Sequence, residues 1–105
     1  MASIRDLVAA LRQREGVEAA IVLGRDGLLI DSQVDPGVNP EDLAARIPPI
    51  ISPSDELGVA VGRGEVVTAI LELRSGIAIM SVLSAEAILV VLVQPSANIG
   101  QLLYE

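Results

Sequence analysis

The chain contains no cysteine, histidine, tryptophan, phenylalanine or lysine, and its single aromatic residue is Tyr104. Each absence removes a class of chemistry. Without cysteine or histidine there is no disulfide scaffold, no thiolate or imidazole metal site, and neither a Ser-His-Asp nor a Cys-His nucleophile. Without lysine there is no Schiff base and no phosphate-cradling lysine of the P-loop kind. An isoelectric point near 4.4 and no aromatic stacking platform argue against nucleic acid as a partner. The same acidity argues against anionic membrane surfaces. What remains is a binding or regulatory domain, or chemistry resting on carboxylates, hydroxyls and arginine alone.

What is present is aliphatic. Of 105 residues, 51% are hydrophobic and mean hydropathy is +0.58, so the core must be built from Leu, Ile, Val and Ala. The length suits a single domain, 1–105. Acids outnumber bases 14 to 7, for a net charge of -7. Arg5, Asp6 and Arg12 interrupt the N-terminus, so it does not read as a signal peptide. The apolar stretch from Gly76 to Val93 contains Glu86, which would cost about 2.5–3.5 kcal/mol near the middle of a membrane helix. Ser84-Ala85-Glu86 also reads as a turn between two Val/Ile-rich strands. The expectation is a cytoplasmic protein with no membrane span.

Ile4, Leu7, Val8 and Leu11 recur at helical period and predict a first helix over 4–15, capped by Ser3 with Asp6 three residues on, and stopped by Gly16. Val17 to Leu23 and Leu28 to Ser32 read as strands joined by an Asp26-Gly27 hairpin turn. Asn39, Pro40, Glu41 and Asp42 mark a helix start. Pro48, Pro49 and Pro53 should break this second helix into pieces near 40–47 and 53–61, because an interior proline costs about 3 kcal/mol. Three strands follow, Glu65 to Leu73, Ile77 to Leu83 and Ala87 to Val93, on connections short enough to make them antiparallel. Ser96 then caps a final helix that has only begun at Glu105, a C-terminal helix cut short. The expected fold is α+β, order α-β-β-α-β-β-β-α. It is a five-stranded antiparallel sheet with the first and last helices on one face and the proline-broken helix on the other.

Polar motifs have plain explanations. Gly62-x-Gly64 lacks the third glycine of a phosphate loop and precedes a strand. Glu41-Asp42 and Asp55-Glu56 read as first-turn acids, and Asp26 and Asp31 lack calcium-loop spacing. Arg46 and Arg63 could meet a phosphate but also read as solvated charges. No cofactor and no small-molecule substrate is expected. The second helix is less easily explained: Leu43, Ile47, Ile50, Ile51, Leu57, Val59 and Val61 are more than one buried stripe requires. A second subunit could bury the excess, and strand Glu65–Leu73 could be an edge open to pairing.

Three stretches carry a family resemblance. They are Gly16 to Ser32 with its Asp-Gly turn, Asp55 to Glu65, and Gln94 to Glu105. In this ordered set the chain resembles the Roadblock/LC7 domain, the family of dynein light chains and of MglB-like bacterial regulators of Ras-like small GTPases. The resemblance implies a homodimer in which second helices pack together and third strands pair. The matching positions run from Leu43 to Val61 and from Glu65 to Leu73, with Leu43, Ile47, Ile50, Leu57, Val61, Val67, Ala69, Ile70 and Leu71 as the interface residues. It further implies a small GTPase docking near the second helices, where Glu41, Asp42, Arg46 and Arg63 would meet it. It implies no catalytic residue of the chain's own, since some bacterial members speed GTP hydrolysis by remodelling the GTPase's switch regions. The alternatives are a dimerisation scaffold for a motor, kinase or polarity complex, and a carboxylate enzyme or ligand binder of profilin-like shape.

Overall fold

A computed structural model describes residues 3–95. The elements are α1 (Ile4–Arg12), β1 (Val17–Gly24), β2 (Leu29–Val34), α2 (Pro40–Arg46), α3 (Pro48–Ala60), β3 (Thr68–Leu73), β4 (Gly76–Val82) and β5 (Ala87–Val93). The expected final helix lies outside the described residues. All five strands form one antiparallel sheet in the order β2-β1-β5-β4-β3, so β2 and β3 are its edges.

The α+β reading holds, and the two faces of the sheet are covered as the sequence requires. On one face Ile21, Leu23, Met80, Ile88 and Val90 meet Ala44, Ile47 and Ile51 of the α2–α3 segment. On the other, Val8 of α1 packs on Ala20 and Val22. Beside it Val17, Ile77, Ile79, Val91 and Val93 form a second cluster that reaches Leu11. The central strands β1, β4 and β5 are therefore apolar on both sides. A side chain such as Ile21 contributes about 1.5–3 kcal/mol by leaving water.

α1 begins as its cap dictates. The Asp6 N–H donates to Ser3 Oγ at 3.1 Å, and the Ser3 N–H donates back to Asp6 Oδ2 at 3.1 Å. It ends three residues earlier than expected, at Arg12, whose Nη1 donates to the Val17 carbonyl at 2.8 Å and whose guanidinium pairs with Asp35. Gly16 then turns the chain at φ 85.

The second helix breaks where prolines demand it, but not where the sequence reading put the restart. α2 closes at Ile47, and α3 begins at once on Pro48 and Pro49, at first-turn positions that have no intrahelical use for an N–H. Pro53 lies inside α3 instead of opening it. Two circumstances make this tolerable. Pro49, whose carbonyl loses its donor at Pro53, and Pro53 itself are both exposed. Nearby, Ser54 Oγ donates to the Ile50 carbonyl at 2.7 Å. Asp55 and Glu56 are consequently mid-helix residues and not first-turn acids.

β3 also starts later than expected, because residues 61–67 are tied back to α3. The Arg63 and Gly64 N–H groups donate to the Gly58 carbonyl at 2.8 and 3.1 Å. This approach is close enough that a Cβ on Gly58 would collide with the Gly64 carbonyl oxygen. Substituting Gly58→Ala should therefore cost about 1–3 kcal/mol, the range for forced overpacking. Urea unfolding reads it, and an unchanged midpoint would show that the loop gives way freely.

Candidate partner-binding surface

α3 has 13 residues and fully buries only Ile51. Pro49, Ser52, Pro53, Glu56, Leu57, Val59 and Ala60 are all exposed, and Glu56 alone among them carries a charge. A helix facing solvent ordinarily shows a charged outer face. Here Leu57 is 66% exposed, Val59 and Val61 60% each, and Val67 in the following loop 74%. Beyond it β3 is bare along its length: every residue but Ala69 is exposed, including Ile70, Leu71 and Leu73. The apolar surface thus runs from α3 through the loop to the sheet edge.

The main chain of β3 is as open as its side chains. The Val82 N–H donates to the Val67 carbonyl at 2.9 Å, and the register runs Thr68↔Ser81 to Leu73↔Gly76 without interruption. Alternation then turns Ala69, Leu71 and Leu73 towards β4, and the N–H and C=O groups of Thr68, Ile70 and Glu72 outward. Among the described residues nothing bonds to those outward groups.

The expected interface residues divide into two sets. Leu57, Val61, Val67, Ile70 and Leu71 are exposed. Leu43, Ile50 and Ala69 are half-buried and pack on the subunit's own core. Ile47 is 3% exposed and belongs to that core outright, so the expectation that it meets a partner is corrected. Its place at the α2–α3 break points it at the sheet. Ile70 and Leu71 also lie on opposite faces, since Ile70 pairs with Ile79 and Leu71 with Ala78, which sit in different core clusters. Leu73, inside the strand expected to pair, and Val59, noted as part of the apolar excess, are exposed as well.

Of the residues expected to meet a GTPase, Glu41, Asp42, Arg46 and Arg63 are all exposed. Arg46 Nε donates to Asp42 Oδ2 one turn away at 3.0 Å, and this pairing raises the Arg46 pKa further. Arg63 sits instead in the loop after α3, away from α2 in sequence. An open cleft of about 500 Å³ beside that loop is lined by Asp55, Glu56, Val59, Ala60 and Glu65. Its polar groups are carboxylates, with no opposing donor among the lining residues.

Asp55 is the residue that sequence reasoning misjudged most. Its Oδ1 accepts the Val66 N–H at 2.7 Å and its Oδ2 accepts Arg25 Nη1 at 3.0 Å. One carboxylate thus joins α3 to the start of β3 and to the β1–β2 turn. No local spacing announces a contact across 30 residues. The Val66 hydrogen bond first, and Arg25 second, hold the Asp55 carboxyl below its ordinary value. Its stabilisation is therefore complete above the unfolded value near 3.8 and is lost as pH falls through the lower folded value. Urea midpoints followed from neutral pH to below that value should fall less steeply in Asp55→Asn than in the parent. Parallel curves would contradict this role.

The Roadblock/LC7 domain family model matches residues 4–93. An uncharacterised protein of Methanocaldococcus jannaschii is 31% identical over 90 residues, covering 86% of this chain and 78% of its own. Among solved structures, a Roadblock/LC7 domain from Streptomyces avermitilis is 26% identical with a TM-score of 0.86, over 98% of this chain and 88% of that one. Myxococcus xanthus MglB has a TM-score of 0.83 at 16% identity, covering 94% and 84%, a likeness of fold.

Proposed function

The chain belongs to the Roadblock/LC7 domain family, and on that premise we propose that it is a homodimeric, non-catalytic regulator of a Ras-like small GTPase. The observation that carries the dimer is α3, which leaves an almost uncharged outer face in water. A second copy covers that face with its own α3 and pairs its β3 with this one, joining two five-stranded sheets into one. The interface is isologous, so each exposed apolar residue is covered twice over by one self-complementary patch. Leu57, Val61, Val67 and Leu71 supply apolar area, and Thr68, Ile70 and Glu72 supply main-chain pairing. Leu57→Asp or Ile70→Asp places charges at that seam. Light scattering should then give half the parent mass, or aggregate, and an unchanged dimer contradicts the interface.

The regulatory reading is supported by the family and by a sequence without histidine, cysteine or lysine. The docking face is formed by the α2–α3 segments of both copies, where exposed Glu41, Asp42 and Arg46 offer charge for registration. Regulation works by shifting the GTPase between switch conformations. GTP turnover by the cognate GTPase, with and without this protein, tests it. Turnover should change when this protein is added. Arg46→Ala and Arg63→Ala should raise the half-maximal concentration yet leave the saturated rate unaltered. Loss of that rate would show that an arginine of this chain acts on the phosphate. No binding and no change in turnover would overturn the regulatory role.

A further inference from the structure

The two edges of the sheet are built in opposite ways. β3 runs in unbroken register and leaves its outward groups open. At β2 the Asp35 N–H donates to the Glu18 carbonyl at 2.9 Å. With the register Ala19↔Val34 to Val22↔Asp31, this turns Asp31 and Gln33 towards β1 and the main chain of Ser32 and Val34 outward. The Ser32 N–H is already taken: it donates to Asp31 Oδ1 at 2.9 Å. One step earlier the register slips between Val22 and Leu23, leaving Ile30 as a bulge. A bulge, and an outward donor already bonded within its own strand, both hinder further strand pairing.

Such devices are needed here, because Leu28 and Ile30 at this edge are 69% and 52% exposed. They also account for an otherwise unexplained cost. Asp31 Oδ2 is buried with no hydrogen-bond partner among the described residues, an arrangement that calls for a reason. Oδ1 supplies one, since the position that buries Oδ2 also brings Oδ1 to the Ser32 N–H. We infer that Asp31, together with the Ile30 bulge, closes the β2 edge against a second copy, so that assembly stops at two chains instead of running on edge to edge. This rests on the reading that β3 pairs in the dimer.

Sedimentation velocity of the full chain over a wide concentration range tests it, with circular dichroism to confirm folding. The parent should hold the mass of two copies throughout. Asp31→Val, which frees the Ser32 N–H and favours strand, should at least double that mass at high concentration. Asp31→Asn, whose amide oxygen can still accept from Ser32, should behave as the parent. Combining Asp31→Val with Ile70→Asp leaves one open edge and should stop at two copies. Asp31→Thr decides in the same way if the valine variant fails to fold. A folded variant with the parent's mass at every concentration overturns the inference. A monomeric parent would instead overturn the β3 pairing, and an Asp31→Val chain that then doubled in mass would still show the β2 edge to be closed by Asp31.

Discussion

The controlling constraint is an excess of aliphatic surface over what one copy can bury. Two helical layers on a five-stranded sheet are filled by residues such as Ile21, Leu23, Met80 and Ile88, and among the described residues the outer face of α3 stays exposed. Burial stabilises by about 25 cal/mol per Å² of apolar area. A helix whose outward side is proline, alanine, leucine and valine therefore forgoes stabilisation until something covers it. We propose that a second copy covers it, and membership of the Roadblock/LC7 domain family supports that reading.

The subunit holds this surface in shape with few core contacts, Ile50 and Ile51 beneath α3 and Ala69 beneath β3. Asp55 fastens the middle of α3 to Val66 and Arg25, while Gly58 lets the loop close onto the helix through two main-chain hydrogen bonds. α3 and β3 thus keep a fixed relation although most of their side chains touch water. Preorganisation of this kind limits the ordering cost of association. At the far edge Asp31 and the Ile30 bulge act in the opposite sense. One sheet carries both an edge prepared for pairing and an edge prepared against it.

Much of this was legible in the sequence because it is periodic or local. The helical spacing of Ile4, Leu7, Val8 and Leu11, the Ser3–Asp6 cap and the Asp26-Gly27 turn each specify their element from within a few residues. The excess of apolar residues along the second helix signalled an uncovered face before any coordinates. The errors have a common origin in tertiary contacts. Pro53 reads as a helix start unless its exposure is known, Ile47 reads as interface unless the α2–α3 break is placed, and Asp55 reads as a first-turn acid unless its partners at Val66 and Arg25 are seen. The start of β3 was misjudged for the same reason, since the strand-like Val66 is held in a loop by the Asp55 carboxylate of α3.

The claim that β3 is an internal strand of a joined sheet is tested most directly by amide hydrogen exchange of the full chain. The outward N–H groups of Thr68, Ile70 and Glu72 should exchange as slowly as those of Ala69 and Leu71, and should lose that protection on dilution. Rapid exchange at the three outward positions at every concentration, with their inward neighbours protected, would contradict it.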